Sequence, residues 1–195
     1  LFTASNLFSK PLHDITDEER NIAKRINFSI VYGMNAFGLA QELHISRTEA
    51  KKYLDEYKKL YKELFLWIEH IGIEAIRNSY VETYFGRRRY FNTHDKGDIN
   101  FIKRASVNTI IQGTAAEIIK QSMINVDALC KKNNGHILLQ IHDELLLEIP
   151  INKNIDNFAI ELKKSMEIKI TEWIVPITVN IKSGPNWSEL KKAFV

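Results

Sequence analysis

Four side chains that could together bind a phosphorylated, aromatic ligand recur at every fourth position early in the chain. They are Arg20, Lys24, Phe28 and Tyr32, and Gly33 follows directly. Each step of four residues turns an α-helix by about 40°, so these side chains would share one face over about three turns. The two cations suit a triphosphate and the ring of Phe28 suits a nucleobase.

A capping box predicts where this helix begins. Thr16 is followed three residues later by Glu19, which favours a helix over about residues 17–31. An anion near its first half would meet Arg20, Lys24 and the positive end of the helix dipole together. The same residues also suit a solvated amphipathic helix, whose buried face would be formed by other apolar side chains. These are Ile22, Ala23, Ile26, Ile30 and Val31.

A second four-residue spacing combines long hydrogen-bonding side chains. Arg104, Asn108 and Gln112 lie in a helical pattern that extends from about Ile99 to Lys132. Donors on one helix face suit the minor groove of nucleic acid, where acceptors occupy similar places in every base pair. Gly113, which follows this stripe, would let a backbone approach closely.

Acidic residues mark the centre of a predicted hairpin. His142, Asp143 and Glu144 lie between two apolar runs in the segment HILLQIHDELLLEIP, residues 136–150. The runs predict a packed β-hairpin with its polar tip at the turn. An ordinary polar turn would explain the same residues, but adjacent carboxylates held rigidly are costly unless a cation neutralises them. Their hard oxygen donors suggest Mg²⁺.

Basic and aromatic residues alternate after a strand-like segment, VETYF at residues 81–85. Arg87, Arg88 and Arg89 precede Tyr90 and Phe91. This composition fits a phosphate backbone, although a solubilising turn would have the same composition.

The remaining pattern is mainly helical. Further helices are expected over residues 35–43, 46–61, 64–78 and 155–170, and a strand over residues 177–181. The 195 residues carry a net charge of +3, which permits a nucleic-acid partner without requiring one. The single cysteine, Cys130, excludes an internal disulfide. No apolar run approaches the ~20 residues of a membrane span.

In this order and at these intervals, the segments resemble family A DNA polymerases of the bacterial DNA polymerase I type. RNIAKRINFSIVYG, residues 20–33, is similar to the helix of the fingers subdomain with the pattern Arg-x3-Lys-x3-Phe-x3-Tyr-Gly. QGTAA at residues 112–116 and His-Asp-Glu at 142–144 resemble further motifs of the family. The resemblance extends to Gly184-Pro185-Asn186-Trp187 and covers nearly the whole chain.

The resemblance implies an α+β, mostly helical fold with a small antiparallel sheet. Residues 1–90 would be the fingers, with the nucleotide-binding helix at about 17–31. Residues 91–195 would be the C-terminal part of the palm, with the hairpin 136–149 carrying the metal site.

The resemblance also implies an enzyme, a DNA-templated DNA polymerase that adds deoxynucleotides to a primer 3′-hydroxyl. In that reading Asp143 binds catalytic metal, Glu144 lies beside it and His142 approaches the primer end. The complete enzyme would use two Mg²⁺ ions in phosphoryl transfer.

The remaining site residues divide between the two substrates. Arg20 and Lys24 would hold the triphosphate, and Lys24 is also a candidate proton donor to the leaving pyrophosphate. Phe28 would stack on the incoming nucleotide and Tyr32 would lie by the template base. Primer-template DNA would be contacted by Arg104, Asn108, Gln112, Arg87 and Arg88.

The family's first metal-binding aspartate would lie upstream of Leu1, so we expect this chain to be a fragment that is inactive alone. The complete enzyme would be a monomer without a membrane partner. It would be cytoplasmic, at the nucleoid, if bacterial, and an organellar or phage parent stays open. The alternatives are a single-subunit RNA polymerase, which differs at Phe28 and Glu144, and a non-catalytic nucleic-acid-binding remnant.

Overall fold

The structure is a computed structural model that describes residues 1–31, 33, 35–92, 99–151 and 154–192. Contacts divide the chain into two compact units, residues 1–113 and 114–195. The longest helix, α6 (Ile99–Lys132), contributes to both. The functional boundary expected at residue 90 stays a prediction. No helix in the described ranges has the length and apolarity to cross a membrane.

Five α-helices precede α6 among the described residues of the first unit. They are α1 (Phe2–Phe8), α2 (Asp17–Val31), α3 (Ala36–Leu43), α4 (Arg47–Leu60) and α5 (Lys62–Asn78). The bounds of α2 and α6 agree with the sequence prediction. The side chain of Ser46 accepts the Glu49 N–H at 3.1 Å, which caps α4 as its sequence predicts.

Apolar faces of α1 to α4 form the main core of the first unit. Ile26 on α2 and Leu39 on α3 have no exposed surface, and Leu54 and Tyr57 of α4 complete the cluster. Burial raises the pKa of the Tyr57 hydroxyl to about 12. The face of α2 opposite this core is exposed.

A short hairpin follows α5. Strand β1 (Tyr80–Glu82) pairs antiparallel with β2 (Arg88–Tyr90). The strand expected at residues 81–85 is therefore shorter, because the chain turns at Gly86, whose φ is +84°. Val81 packs with Ala75 of α5 and Ile102 of α6 in a second small core.

The second unit packs the latter part of α6 against a hairpin and one more helix. Strand β3 (His136–Ile141) pairs antiparallel with β4 (Glu144–Glu148), and α7 spans Ile155–Met166. Its core is formed by Val126, Leu129, Cys130, Phe158, Leu162 and Met166.

The strand predicted over residues 177–181 is wrong. The only pairing near it, within the described residues, joins β5 (Lys182–Ser183) to β6 (Lys191–Lys192). The Val179 N–H donates to the side chain of Glu167 at 2.9 Å, and Val179 packs on the core of the second unit. A side chain from the end of α7 thus replaces the partner strand, and α7 itself ends before the predicted residue 170.

Candidate active site

The predicted ligand stripe lies on the open face of α2. Arg20, Lys24 and Phe28 are exposed, whereas Ala23 and Ile26 are buried on the opposite side. The Lys24 ammonium lies 5.9 Å from the centroid of the Phe28 ring, which is within the range of a cation–π contact. The charge and the ring therefore form one continuous surface, with 54% of Phe28 open to a ligand.

The capping box at the start of α2 forms as predicted. Thr16 Oγ1 accepts the Glu19 N–H at 3.2 Å, and Glu19 Oε2 accepts the Thr16 N–H at 2.9 Å. Lys10 Nζ donates to Glu19 Oε1 at 2.5 Å. The hydrogen bond from Lys10, followed by that from the Thr16 backbone, holds the pKa of Glu19 below its ordinary value.

This arrangement bears on the expected binding of an anion at the start of α2. The Glu19 N–H at the helix end is already bound by Thr16, and Asp17, Glu18 and Glu19 add negative charge to the first turn. The dipole favours such acids, but they also offset the positive potential that an anionic ligand would meet. Attraction of a triphosphate would thus depend on the side chains of Arg20 and Lys24.

An open cavity of about 340 Å³ adjoins the stripe. Its lining consists of Asn21, Lys24, Arg25, Phe28 and Glu42. The Glu42 carboxylate is oriented by Ser29, whose Oγ donates to Oε2 at 3.1 Å. The sequence analysis missed Asn21 and Arg25, although their own spacing of four residues places a second polar row beside the first.

Tyr32 and Met34 lie outside the described residues. The predicted place of Tyr32 beside a template base therefore stays a prediction.

The polar stripe of α6 lies in the first unit and is only partly exposed. Arg104 and Gln112 are exposed, and Asn108 between them is half-buried. The Asn108 Oδ1 is buried and has no hydrogen-bond partner among the described residues. Buried polar atoms are normally bonded, so this oxygen is available to a donor that approaches the helix.

Gly113 serves a different purpose from the one its sequence suggested. A Cβ at this position would lie 2.5 Å from the Thr83 side-chain methyl carbon, so the residue that approaches Gly113 closely belongs to this chain. Arg89 donates to Thr109 Oγ1 at 3.1 Å, which ties the same hairpin to α6 a turn earlier. The β1–β2 hairpin is thereby anchored beside Asn108 and Gln112.

The side chains of the arginine cluster (Arg87, Arg88 and Arg89) include some that already bind other residues of this chain. An open phosphate-binding surface would leave them unoccupied. Arg88 pairs with Glu82 across the hairpin, and its guanidinium lies 4.5 Å from the Tyr80 ring centroid. The hydrogen bond that Arg88 donates to Glu82 raises the pKa of Arg88 further. A phosphate would have to compete with Glu82 for Arg88, while Arg87 and Arg88 both remain exposed.

The acidic tip of the second unit is a two-residue turn between Ile141 and Glu144. His142 adopts a φ of +53°, a left-handed conformation that is unusual for a non-glycine residue. Gln140 Nε2 donates to the His142 carbonyl at 3.2 Å and helps to hold the turn. Asp143 and Glu144 are exposed.

The expectation that this hairpin is packed is only half right. Ile137, Leu145 and Leu147 pack on the core of the second unit. Leu138 and Leu139 are each 48% exposed, because a β-bulge shifts the register between Ile137 and Leu139. The tip is held from one face.

The carboxylates of the tip fit Mg²⁺ in kind but not in number. Asp143 and Glu144 offer hard oxygen donors of the type that Mg²⁺ prefers. Across the residues that the structure describes, no three His, Cys, Asp or Glu side chains gather closely enough to hold a metal. A metal bound here would need donors from beyond these residues.

A helix with exposed cations and an exposed ring, a second helix with a polar stripe and a carboxylate turn, all in one mostly helical chain, are features expected of the class of nucleic-acid polymerases. The model for "DNA polymerase family A" matches residues 1–189, and the chain belongs to this family. Both the family and the α+β, mostly helical fold predicted from the sequence are confirmed.

Relatives are similar in sequence over nearly all of the chain. DNA polymerase I of Synechocystis sp. is 37% identical over 210 residues, which cover 97% of this chain and 21% of that protein. DNA polymerase I of Lactococcus lactis subsp. lactis is 37% identical over 195 residues, 97% of this chain and 22% of the relative. The chain therefore spans about a fifth of the length of these curated relatives.

A solved structure shares the fold. The polymerase domain of Pol1 from M. smegmatis, in complex with DNA primer-template and dNTP, superposes with a TM-score of 0.77. It is 35% identical, and the match covers 85% of this chain and 30% of that chain.

Proposed function

We propose that this chain is the fingers and C-terminal palm part of a DNA-templated DNA polymerase, with the fingers at residues 1–90 and the palm part at residues 91–195. The observation that carries the proposal is the open α2 stripe. Arg20 and Lys24 precede an uncovered Phe28 ring, in the order in which a nucleotide presents its triphosphate and its base. Membership of family A supports the proposal that a template directs the addition of these nucleotides.

The stripe would act on the incoming deoxynucleoside triphosphate. Arg20 and Lys24 would neutralise the triphosphate and fix its orientation, which is the main work of phosphoryl-transfer sites. Lys24 Nζ would also donate a proton to the leaving pyrophosphate. Phe28 would stack against the base and sugar, and Tyr32 would lie by the template base.

The hairpin tip would supply part of the metal site. Asp143, with Glu144 beside it, would hold Mg²⁺ together with a carboxylate from outside this chain, since fewer than three suitable side chains gather among the described residues. The two Mg²⁺ ions expected in the complete enzyme would supply charge stabilisation for phosphoryl transfer. His142, in its left-handed turn, would lie towards the primer end.

The α6 stripe and the arginine cluster would bind primer-template DNA. Arg104, Asn108 and Gln112 present donors along one face, and the unbonded Asn108 Oδ1 can accept one hydrogen bond from a base edge. Arg87 and Arg88 would contact phosphates, Arg88 by exchanging Glu82 for a phosphate oxygen. The bacterial origin of the relatives supports the cytoplasm, at the nucleoid, as the compartment.

Primer extension by the complete polymerase tests this function. The assay uses a labelled primer-template, Mg²⁺ and either deoxyribonucleotides or ribonucleotides. Extension with deoxyribonucleotides alone is the expected result. Preferential use of ribonucleotides would instead indicate a single-subunit RNA polymerase. Salt-sensitive DNA binding that ignores Mg²⁺ and nucleotide, without extension, would indicate a binding remnant.

A further inference from the structure

The aliphatic stem of Arg104 lies across the backbone at the end of the nucleotide helix. Gly33 has a φ of +70°, and its N–H donates to the Ile30 carbonyl at 2.9 Å as the helix ends. A Cβ built on Gly33 would lie 2.5 Å from Arg104 Cγ and 2.6 Å from Cδ. The stem therefore occupies the space that any side chain at position 33 would need.

A neighbouring contact shows that α6 packs on a second glycine in the same way. Lys103 lies over Gly72 of α5, where an added Cβ would approach its Cγ to 2.8 Å. Consecutive cations of α6 thus rest their stems on two glycines. The Gly72 contact joins α6 to a helix without ligand residues, whereas the Gly33 contact joins it to the helix that carries the nucleotide stripe.

The Gly33 contact connects two binding surfaces of the same unit. Arg104 is the first residue of the DNA stripe on α6, and Gly33 follows the last turn of α2, beyond Phe28. At such close range, a shift of this end of α2 towards the Arg104 stem must displace that stem, because packed atoms cannot interpenetrate. By thermodynamic linkage, each ligand would then change the affinity of the other by the same factor.

We propose that Gly33 is a positioning residue which, through the Arg104 stem, couples nucleotide binding on α2 to primer-template binding on α6. The inference rests on the proposed function of both stripes. It assigns Gly33 a role that a helix-ending glycine alone would not have, since ending the helix requires only its positive φ.

The chain offers a matched control for the backbone. Gly86 also has a positive φ, +84°, but an added Cβ there would meet nothing within 4 Å. Gly33→Ala and Gly86→Ala therefore share the conformational cost, and only Gly33→Ala displaces Arg104. Arg104→Lys keeps the Cβ, Cγ and Cδ atoms that touch Gly33, whereas Arg104→Ala keeps only Cβ.

The measurement is a ratio of dissociation constants in the complete polymerase. A labelled primer-template with a 3′-dideoxy primer end is titrated by fluorescence anisotropy, with and without the complementary deoxynucleoside triphosphate. Partial unfolding raises both dissociation constants by the same factor and leaves their ratio unchanged. The ratio therefore reports coupling and not mere structural damage.

We expect the triphosphate to tighten DNA binding by about tenfold in the unmodified protein, within the usual range for coupled sites. The ratio should fall to within about twofold of unity in Gly33→Ala and Arg104→Ala. Gly86→Ala and Arg104→Lys should keep it, although Arg104→Lys should bind DNA more weakly overall. In the Arg104→Ala background, Gly33→Ala should lower the unfolding temperature no more than Gly86→Ala does.

The outcomes separate this inference from the function on which it rests. If the unmodified protein binds DNA and triphosphate with coupling and Gly33→Ala retains the ratio, the inference is wrong and the proposed function stands. If Gly86→Ala abolishes the ratio equally, backbone strain explains the effect and the inference is again wrong. If the unmodified protein binds neither ligand, the proposed function itself is overturned.

Discussion

Helix α2 and the tip of the β3–β4 hairpin both present charged side chains, but the two are supported differently. The α2 stripe lies on a long helix that is capped at Thr16 and buried through Ile26 against three other helices. Its Lys24 is already positioned near the Phe28 ring. The whole surface is built by one unit of the chain.

The hairpin tip is supported by fewer packing contacts. It is a two-residue turn held from one face, with His142 in a left-handed conformation. No side-chain hydrogen bond or ion pair links Asp143 or Glu144 to any residue that the structure describes. The α2 surface is thus complete within one unit, whereas the acidic tip has no third His, Cys, Asp or Glu side chain close enough to share a metal among the described residues.

The largest expected effect comes from the tip. Asp143→Asn in the complete polymerase should lower the primer-extension rate by about a thousandfold or more, because a lost metal ligand removes several kcal/mol of charge stabilisation. The unfolding temperature should stay within about 1 °C, since the side chain is exposed. Single-turnover extension and thermal unfolding measure the two.

Glu148→Gln is the control for that variant, since it removes a carboxylate from the other end of the same hairpin. It should extend primers at the normal rate. Equal losses in both variants would show that the hairpin tolerates no charge change, and would remove the reason to place metal at Asp143.

The α2 stripe should respond more moderately. Lys24→Ala should lower kcat/KM for deoxynucleotides by about tenfold to a hundredfold, the worth of a charge-assisted hydrogen bond. Lys51→Ala, which removes an exposed cation from α4, should have no effect on steady-state extension. A Lys24→Ala enzyme with unchanged kcat/KM would contradict the assignment of the triphosphate to this stripe.

A smaller change tests the ring end of the stripe. Phe28→Tyr should ease incorporation of dideoxynucleotides by about fivefold, because the new hydroxyl can replace the contact of the missing 3′-hydroxyl at about 1 kcal/mol. Competition between dideoxy- and deoxynucleotides measures the change. Phe37→Tyr adds the same hydroxyl to an exposed ring of α3 and should leave discrimination unaltered. No change in Phe28→Tyr would place the sugar elsewhere.

The smallest effect concerns the support of α2. Because the pKa of Glu19 is lowered in the folded state, its carboxylate stabilises the fold at neutral pH, and this contribution is lost as pH falls through that lowered pKa. Glu19→Gln should therefore melt below the unmodified chain at pH 7, with the difference vanishing in acid. Glu18→Gln, in the same turn but outside the capping box, should show no such pH dependence. A difference that persists unchanged in acid would exclude the carboxylate as its source.

The sequence predicts best where local chemistry decides the structure. The capping box at Thr16, the four-residue spacings and the long apolar period were sufficient for α2 and α6. The His-Asp turn likewise followed from two apolar runs and a polar centre. Each of these signals lies within one helix or one hairpin.

Prediction failed where a distant residue decides the outcome. Glu167 bonds the Val179 backbone in place of a partner strand, and no periodicity reveals this. Thr83 fills the space beside Gly113, and Glu82 engages Arg88 across the hairpin. Such pairings depend on tertiary contacts, which spacing along the chain does not encode.

Primer extension most directly tests the claim that this chain holds a complete nucleotide surface and half of a metal site. The 195-residue chain alone would be compared with the same chain joined to the upstream palm segment of a family A polymerase, with Mg²⁺ and four deoxynucleotides. We expect extension only by the joined protein, as this claim requires. Extension by the chain alone, or by neither protein, would contradict it.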